Sequence, residues 1–494
     1  MHATIKTVAF RGIDTIPVDV QVHVANGLPS MAIVGLADKA VAESKERVRA
    51  ALASIGLALP PKRIAINLAP ADVVKEGAHF DLPVALGLLV AIGSIPRDAV
   101  DGHMVLGELS LHGAIEPVSG VLPAAMAAVA AGLDLICPAR CGPEAAWASE
   151  LPIVAAPDLM ALLNHLRGVQ HLPPPTAELL PPAHAAPDLA DLRGQETACR
   201  VLEIAAAGRH NLLMIGPPGA GKSMLASRLP GLLPPLSPRE ALDVTMLHSI
   251  AGQLPAGGLV QSRPFRDPHH SASMAALVGG GARARPGEIS LAHGGVLFLD
   301  ELAEFAKPAL DALRQPLETG QVVVARANHH VTYPARFQLI AAMNPCRCGY
   351  LGDPARACTR APECGRTYCA RVSGPMLDRF DMVIEVPEVS GQLLLDRTPG
   401  EATRDVARRV GGAQAFAAQR PPVPDDETDT PLRDVSQDAT SLLELAIEKK
   451  SLSARGFHRV LRVARTIADL QQQPVIDRGH LAEALSYRAM PLLA

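Results

Sequence analysis

Along the first 167 residues, apolar positions fall into short runs of two kinds. Val18–Val24, Arg63–Leu68 and Met104–Leu109 read as strands, while Ala40–Ile55, Pro83–Ile95 and Leu122–Ala131 carry helical spacing. Their alternation predicts an α/β domain over residues 1–168. Periodicity then lapses. Residues 169–187 hold Pro173-Pro174-Pro175 and Pro181-Pro182 and read as a semi-rigid linker. A second α/β block is expected over 188–390, interrupted by a cysteine-rich insert at 345–372. Beyond it only helical patterns remain, at Ala402–Ala418, Asp438–Lys449, Ala454–Gln471 and Arg478–Arg488, which predict a helical domain over 391–494.

Length and composition sharpen this outline. The 494 residues suit about three domains of roughly 150 residues each. With 48 % hydrophobic residues but only 3 % aromatics, the interior must be built from Ala, Val and Leu, and wholesale disorder is excluded. A net charge of −4 excludes nucleic-acid binding driven by overall positive charge, so any DNA contact must come from local patches. The most apolar stretches, Leu82–Ile95 and Val121–Cys137, fall short of the roughly 20 residues of a membrane span, and Met1–Lys6 lacks the pattern of a secretory signal. A cytoplasmic protein without membrane contact is expected. Five of the 8 cysteines crowd between Cys346 and Cys369, which in a reducing compartment points to metal before disulfides.

The strand Asn211–Ile215 runs into Gly216-Pro217-Pro218-Gly219-Ala220-Gly221-Lys222-Ser223 and then into a helical segment, the order a P-loop requires. Glycines let backbone N–H groups converge on phosphate oxygens, and the helix N-terminus adds partial positive charge. Lys222 is expected to reach the β/γ-phosphates and Ser223 to ligate Mg²⁺. The apolar strand Val296–Leu299 delivers Asp300, suited to Mg²⁺, and Glu301, suited to polarising an attacking water. The strand Leu339–Ala342 leads to Asn344, whose amide suits orienting the same water.

Cys346-x-Cys348-x9-Cys358-x5-Cys364-x4-Cys369 offers five thiols where tetrahedral Zn²⁺ needs four, in a segment with too few large apolar residues to fold by burial. From Gln321 through Gly352 there is no Asp or Glu. Gln321–Arg326 and Val331–Arg336 read there as two strands around Ala327-Asn328-His329-His330. A second acid-poor stretch, Ser262–Pro286, carries Arg263, Arg266, Arg283, Arg285 and His269-His270.

With Pro286–Gly295 ahead of Val296 and with Ser373–Asp381, the sequence resembles AAA+ ATPases, and more narrowly the clade of magnesium-chelatase motor subunits and MCM helicases. That resemblance implies ATP as the nucleotide, Arg379 as an arginine finger supplied to a neighbouring subunit, and Arg455 as the sensor-2 arginine opening a lid helix, with Arg459 and Arg462 on its face. It also implies an adenine pocket lined by Arg193-Gly194-Gln195, a helix-2 insert in the second acid-poor stretch, and a pre-sensor hairpin projecting into a central pore. Asn344–Pro354 narrows the resemblance to the ComM/YifB family, in which a Cys-x-Cys pair is followed by two more cysteines. This implies Cys346, Cys348, Cys358 and Cys364 as Zn²⁺ ligands and leaves Cys369 out. The N-terminal domain resembles a Lon-protease-like domain on Lys75–Asp81 and Gly107–Gly113, yet His79 and Leu122 stand where the peptidase needs serine and lysine. A binding or assembly module without peptidase activity is expected, with His79 an ordinary loop or core histidine. The family implies a homohexameric ATP-driven helicase on single-stranded or branched DNA, acting in branch migration when transforming DNA is integrated, with Arg326, His329, His330 and Arg266 as candidate DNA contacts. The alternative is a motor that remodels a protein partner, as in magnesium chelatase.

Overall fold

In this computed structural model, which describes residues 2–148, 151–180, 187–254, 258–281, 284–326, 329–351, 356, 359–389, 400–420, 434–448, 452 and 454–488, two sheets organise the chain. The first has seven strands in the order Ser30–Val34, Arg63–Ala69, Asp14–Ala25, His2–Arg11, His103–Val105, Asp134–Pro138 and Ile153–Ala156. His2–Arg11 and Asp14–Ala25 pair antiparallel from Arg11↔Asp14 outward, around Gly12 in the left-handed region at φ 68°. Val18, Val20, Val22 and Val24 point alternately into a core shared with the helices Lys39–Ser54 and Asp81–Ala91. Asp38 caps the former by accepting the Val41 N–H at 2.8 Å.

Met104–Leu109 is not one strand. It stops at Val105: Leu106 N–H makes the last bond of the parallel ladder, to Ile136 O, and the chain then turns away, with Gly107 N–H bonding His79 O and Gly107 O accepting from Leu82 N–H. Glu108–Leu109 pairs instead with Ile115–Glu116.

The second sheet is wholly parallel, in the order Phe265–Arg266, Val296–Leu299, Gln338–Met343, Leu212–Ile215 and Met382–Glu385. Its central strands are buried along their whole length, as parallel strands covered on both faces must be. Leu212, Met214 and Ile340 face the helix Glu196–Gly208 and the C-terminal helices through Val406, Leu443, Val460 and Ala464. Leu213, Ile215 and Leu339 face the opposite way, toward Val322, Val324 and Tyr333 of the hairpin Gln321–Arg326 and His329–Pro334. The C-terminal helices are Thr403–Ala418, Gln437–Glu448, Ala454–Leu470 and Arg478–Ser486.

The proline-rich stretch is tied down at several points. Leu172 N–H donates to His165 Nδ1, Trp147 Nε1–H to Glu178 O, and Glu178 and Leu180 bond both backbone groups of Leu259. Gly120 N–H, ahead of the helix Val121–Ala131, also bonds Ser249 of the helix Pro238–Ala251. Among the described residues, no helix is long and apolar enough to cross a membrane.

Candidate nucleotide site and cysteine cluster

The buried strand Leu212–Ile215 ends where its backbone turns sharply. A Cβ on Gly216 would lie 2.2 Å from Val386 O, so only glycine fits there. Gly219 and Gly221 adopt φ 80° and 85°, and Gly221 opens the helix Lys222–Leu232. Lys222 Nζ donates to Gly216 O at 2.8 Å, Pro217 O at 2.9 Å and Asn344 Oδ1 at 3.2 Å. Burial lowers its pKa, and Asp300 and Glu301 oppose that. Ser223 Oγ donates to Asp300 Oδ2 at 2.7 Å, and Glu301 N–H donates to Asp300 Oδ1 at 2.9 Å. Lys222, Ser223, Asp300, Glu301 and Asn344 therefore meet at the C-terminal ends of three parallel strands. A buried ammonium at a helix N-terminus suits a phosphate group, and the Ser223–Asp300 oxygens suit a hard cation. Gln195 Nε2 donates to Ala220 O and Pro387 O, tying the loop to the segment expected to line the base pocket.

Sequence reasoning missed the partner of Glu301. His270 Nδ1 lies 3.1 Å from Glu301 Oε2, a contact that nothing in the acid-poor stretch around His269-His270 signals. The register explains it: Arg266 pairs with Leu297, so His270 and Glu301 each stand four residues beyond that pair, past the C-terminal ends of two neighbouring parallel strands. Glu301 itself sits at φ 53°, a left-handed conformation uncommon for a non-glycine residue.

Arg266, a candidate DNA contact, is paired within the fold. Its Nε and Nη2 fork onto Glu288 at 2.5 and 2.7 Å, an ion pair half-buried on both sides, so its charge is already matched within the fold. In the hairpin, His329 and His330 are not part of the connection. They open the second strand, where Arg326↔His329 and Ala325↔His330 continue the pairing. His330 is exposed, whereas the side chains of Arg326 and His329 lie outside the described residues, as do Ala327 and Asn328.

Arg379 and Arg455 stand at the opposite end of the sheet from Lys222. Asn211, just before the P-loop strand, donates its side-chain amide to Arg379 O at 3.0 Å and its N–H to Asp381 Oδ2 at 3.0 Å. Arg379, Arg455, Arg459, Arg462, Arg209 and Glu318 line one cavity of about 420 Å³ there. Arg379 is ion-paired with Glu318, and its buried Nε has no hydrogen-bond partner among the described residues. Arg462 Nη2 donates to Asp381 Oδ1 at 2.6 Å, whereas Arg455 is exposed. Burial alone would raise the Asp381 carboxyl, but His210, Arg462 and the Asn211 N–H overcome it and hold the pKa at about 2. At ~3.3 Å per residue, Asn211 and Ile215 are ~13 Å apart.

The Sγ atoms of Cys346, Cys348 and Cys364 all lie within 4.8 Å of one another, and the first two are 3.0 Å apart. Thiolates ~2.3 Å from a shared tetrahedral Zn²⁺ stand ~3.8 Å apart, within the span of this cluster, so its three thiols could hold a metal ion once Cys346 and Cys348 part by ~0.8 Å. Cys358 lies outside the described residues. Cys369 is buried beside Tyr368 and Val372, with its Sγ toward Pro345 O at 3.9 Å. Beside the N-terminal sheet, His79 of the single turn Ala78–Phe80 packs between Phe10 and Phe80 with Nε2 2.9 Å from Val8 O, and the Leu122 side chain is buried.

Comparison with known proteins agrees with this arrangement. The chain matches the family models "Magnesium chelatase, subunit ChlI" over residues 188–394, "Subunit ChlI of Mg-chelatase" over 20–140 and "Magnesium chelatase, subunit ChlI C-terminal" over 400–488. It is 44 % identical to the competence protein ComM of Haemophilus influenzae over 506 residues, covering 99 % of this chain and 97 % of that one. It is likewise 44 % identical to the uncharacterized protein YifB of Escherichia coli over 495 residues, with the same coverage. The magnesium-chelatase 38 kDa subunit of Rhodobacter capsulatus is 27 % identical over 60 % of this chain and 85 % of its own. A magnesium-chelatase-like parallel sheet, a P-loop that points to ATP and Mg²⁺, and full-length similarity place the chain in the ComM/YifB family of AAA+ proteins.

Proposed function

We propose that the protein is an ATP-driven, ring-forming DNA motor of the helicase or branch-migration type, working in the cytoplasm during integration of transforming DNA or recombination. One observation carries the ring. The phosphate-binding set lies at one end of the P-loop strand and the Arg379–Arg455 cavity at the other, so a complete ATP site takes its two halves from neighbouring copies, most simply around a hexamer.

ATP supplies a terminal phosphoryl group, and Mg²⁺ spreads its charge. Lys222 neutralises the β/γ-phosphates from the helix N-terminus, with the loop Gly216–Ser223 presenting its N–H groups. Ser223 and Asp300 hold the cation. Glu301 takes the proton from the attacking water, which Asn344 orients, and Arg379 and Arg455 of the adjacent copy stabilise the charge that develops in the transition state. The acid-free hairpin bearing Arg326, His329 and His330 faces DNA, where several copies would concentrate positive charge around one strand. Cys346, Cys348, Cys358 and Cys364 hold a structural Zn²⁺. The N-terminal domain serves binding or assembly.

Glu301→Gln should keep nucleotide binding and abolish both DNA-stimulated ATPase and strand displacement. Full unwinding by that variant would overturn the reading. Stimulation of ATPase by a partner protein but not by DNA would favour the remodelling motor of the chelatase type.

A further inference from the structure

The cysteine cluster touches the phosphate loop directly. Gly349, the residue after Cys348, sits at φ 87°, and a Cβ placed on it would lie 2.5 Å from Cδ and 3.1 Å from Cγ of Pro218. Its N–H donates to Cys346 O at 3.0 Å, closing a turn around the two thiols. Two residues before Cys346, Asn344 accepts from Lys222 Nζ at 3.2 Å. The short stretch Asn344–Gly349 therefore meets the loop twice, at its lysine and at its central proline.

The third thiol belongs to a different element. Cys364 lies in the helix Glu363–Cys369, which Tyr368 and Cys369 root in the core beneath the sheet. Gly365 of that helix backs onto Leu351, where a Cβ would lie 2.5 Å from Leu351 Cδ2. A cation shared by Cys346, Cys348 and Cys364 would bolt the loop-touching turn to this rooted helix.

We propose that the cysteine turn is a metal-held strut of the phosphate-binding loop, so that occupancy by a thiophilic divalent cation sets the affinity for nucleotide. The strut rests on the readings of an ATP loop and a thiol-bound metal. Its cause is mechanical. Coordination by the thiolates of Cys346, Cys348 and Cys364 would fix the Cys346–Gly349 turn, and the turn then fixes Pro218 and the Asn344 amide against the loop.

The test measures metal content by elemental analysis and the Kd of a fluorescent ATP analogue on the full-length protein. Wild type should carry one equivalent of metal. Cys364→Ser should lose it and bind the analogue about tenfold more weakly. Gly349→Ala should keep the metal and still weaken binding, because its methyl displaces Pro218. Chelation of wild type followed by added Zn²⁺ should lower and then restore affinity, which serves even where Cys364→Ser folds poorly. Unchanged affinity after verified metal loss, or Gly349→Ala binding like wild type, overturns the strut. A metal-free wild type overturns it through the metal reading, and a Lys222→Ala protein that binds normally does so through the loop reading.

Discussion

Two inactive variants should restore each other when mixed. Lys222→Ala removes the ammonium at one end of the P-loop strand, and Arg379→Ala removes the guanidinium at the other. An arginine finger is worth roughly 10³–10⁵ in rate, so each variant alone should hydrolyse almost no ATP. The Arg379 side chain is 10 % exposed, and its buried Nε is unpaired among the described residues. Its partner Glu318 is 56 % exposed and stays solvated when Arg379 is lost, so the stability cost should stay within about 1–2 kcal/mol, and a melting scan of the variant alone checks that misfolding is not the cause. In a ring assembled at random from equal amounts, a shared site is sound only where an Arg379→Ala copy, with its intact loop, abuts a Lys222→Ala copy with its intact guanidinium. The two chances of one half multiply, so about one quarter of the wild-type rate should return if sites act independently. The assay is phosphate release before and after subunit exchange, with mixed rings verified by native mass spectrometry. A mixed ring that stays inactive, or Arg379→Ala that is fully active alone, refutes the shared site.

His270→Ala should change the ratio of DNA-stimulated to basal ATPase while leaving nucleotide affinity intact, since His270 lies 3.1 Å from the Glu301 carboxylate and packs on the His269 ring rather than on the phosphate loop; steady-state kinetics with and without DNA would check this. Asp381, held at about 2 against an ordinary 3.8, contributes about 2 kcal/mol of stability that is fully present above about pH 4 and lost as pH falls toward 2. Asp381→Asn should lose that amount near neutrality and flatten the acid limb of stability, measured by urea denaturation across pH. Gly12→Ala, whose Cβ would come within 2.3 Å of Val331 Cγ1 at φ 68°, should lower stability by about 1–3 kcal/mol in the same assay by pushing the N-terminal sheet off the hairpin.

Much of the nucleotide loop is legible in the residues alone because its demands are local. Glycines at left-handed φ, a lysine at a helix start and an apolar strand before them sit within a dozen positions. Val296–Leu299 is read to the residue for a related reason: a strand buried on both faces is an unbroken apolar run. His2–Arg11 escapes such reading although it is central to its sheet. Polar His2, Thr4 and Lys6 interrupt it, and one of its neighbours, His103–Val105, lies about a hundred residues on.

By itself, then, the chain determined where the glycine-rich loop with its lysine lies, where thiols gather and which segments become helix or buried strand. Tertiary structure alone decided who faces whom. It set His270 against Glu301, matched Arg266 with Glu288, put Arg379 and Lys222 at opposite ends of one strand, and seated Gly349 on Pro218. Parallel strands are joined by long crossovers, so such neighbours arise from register and sheet order, which no local rule of spacing encodes.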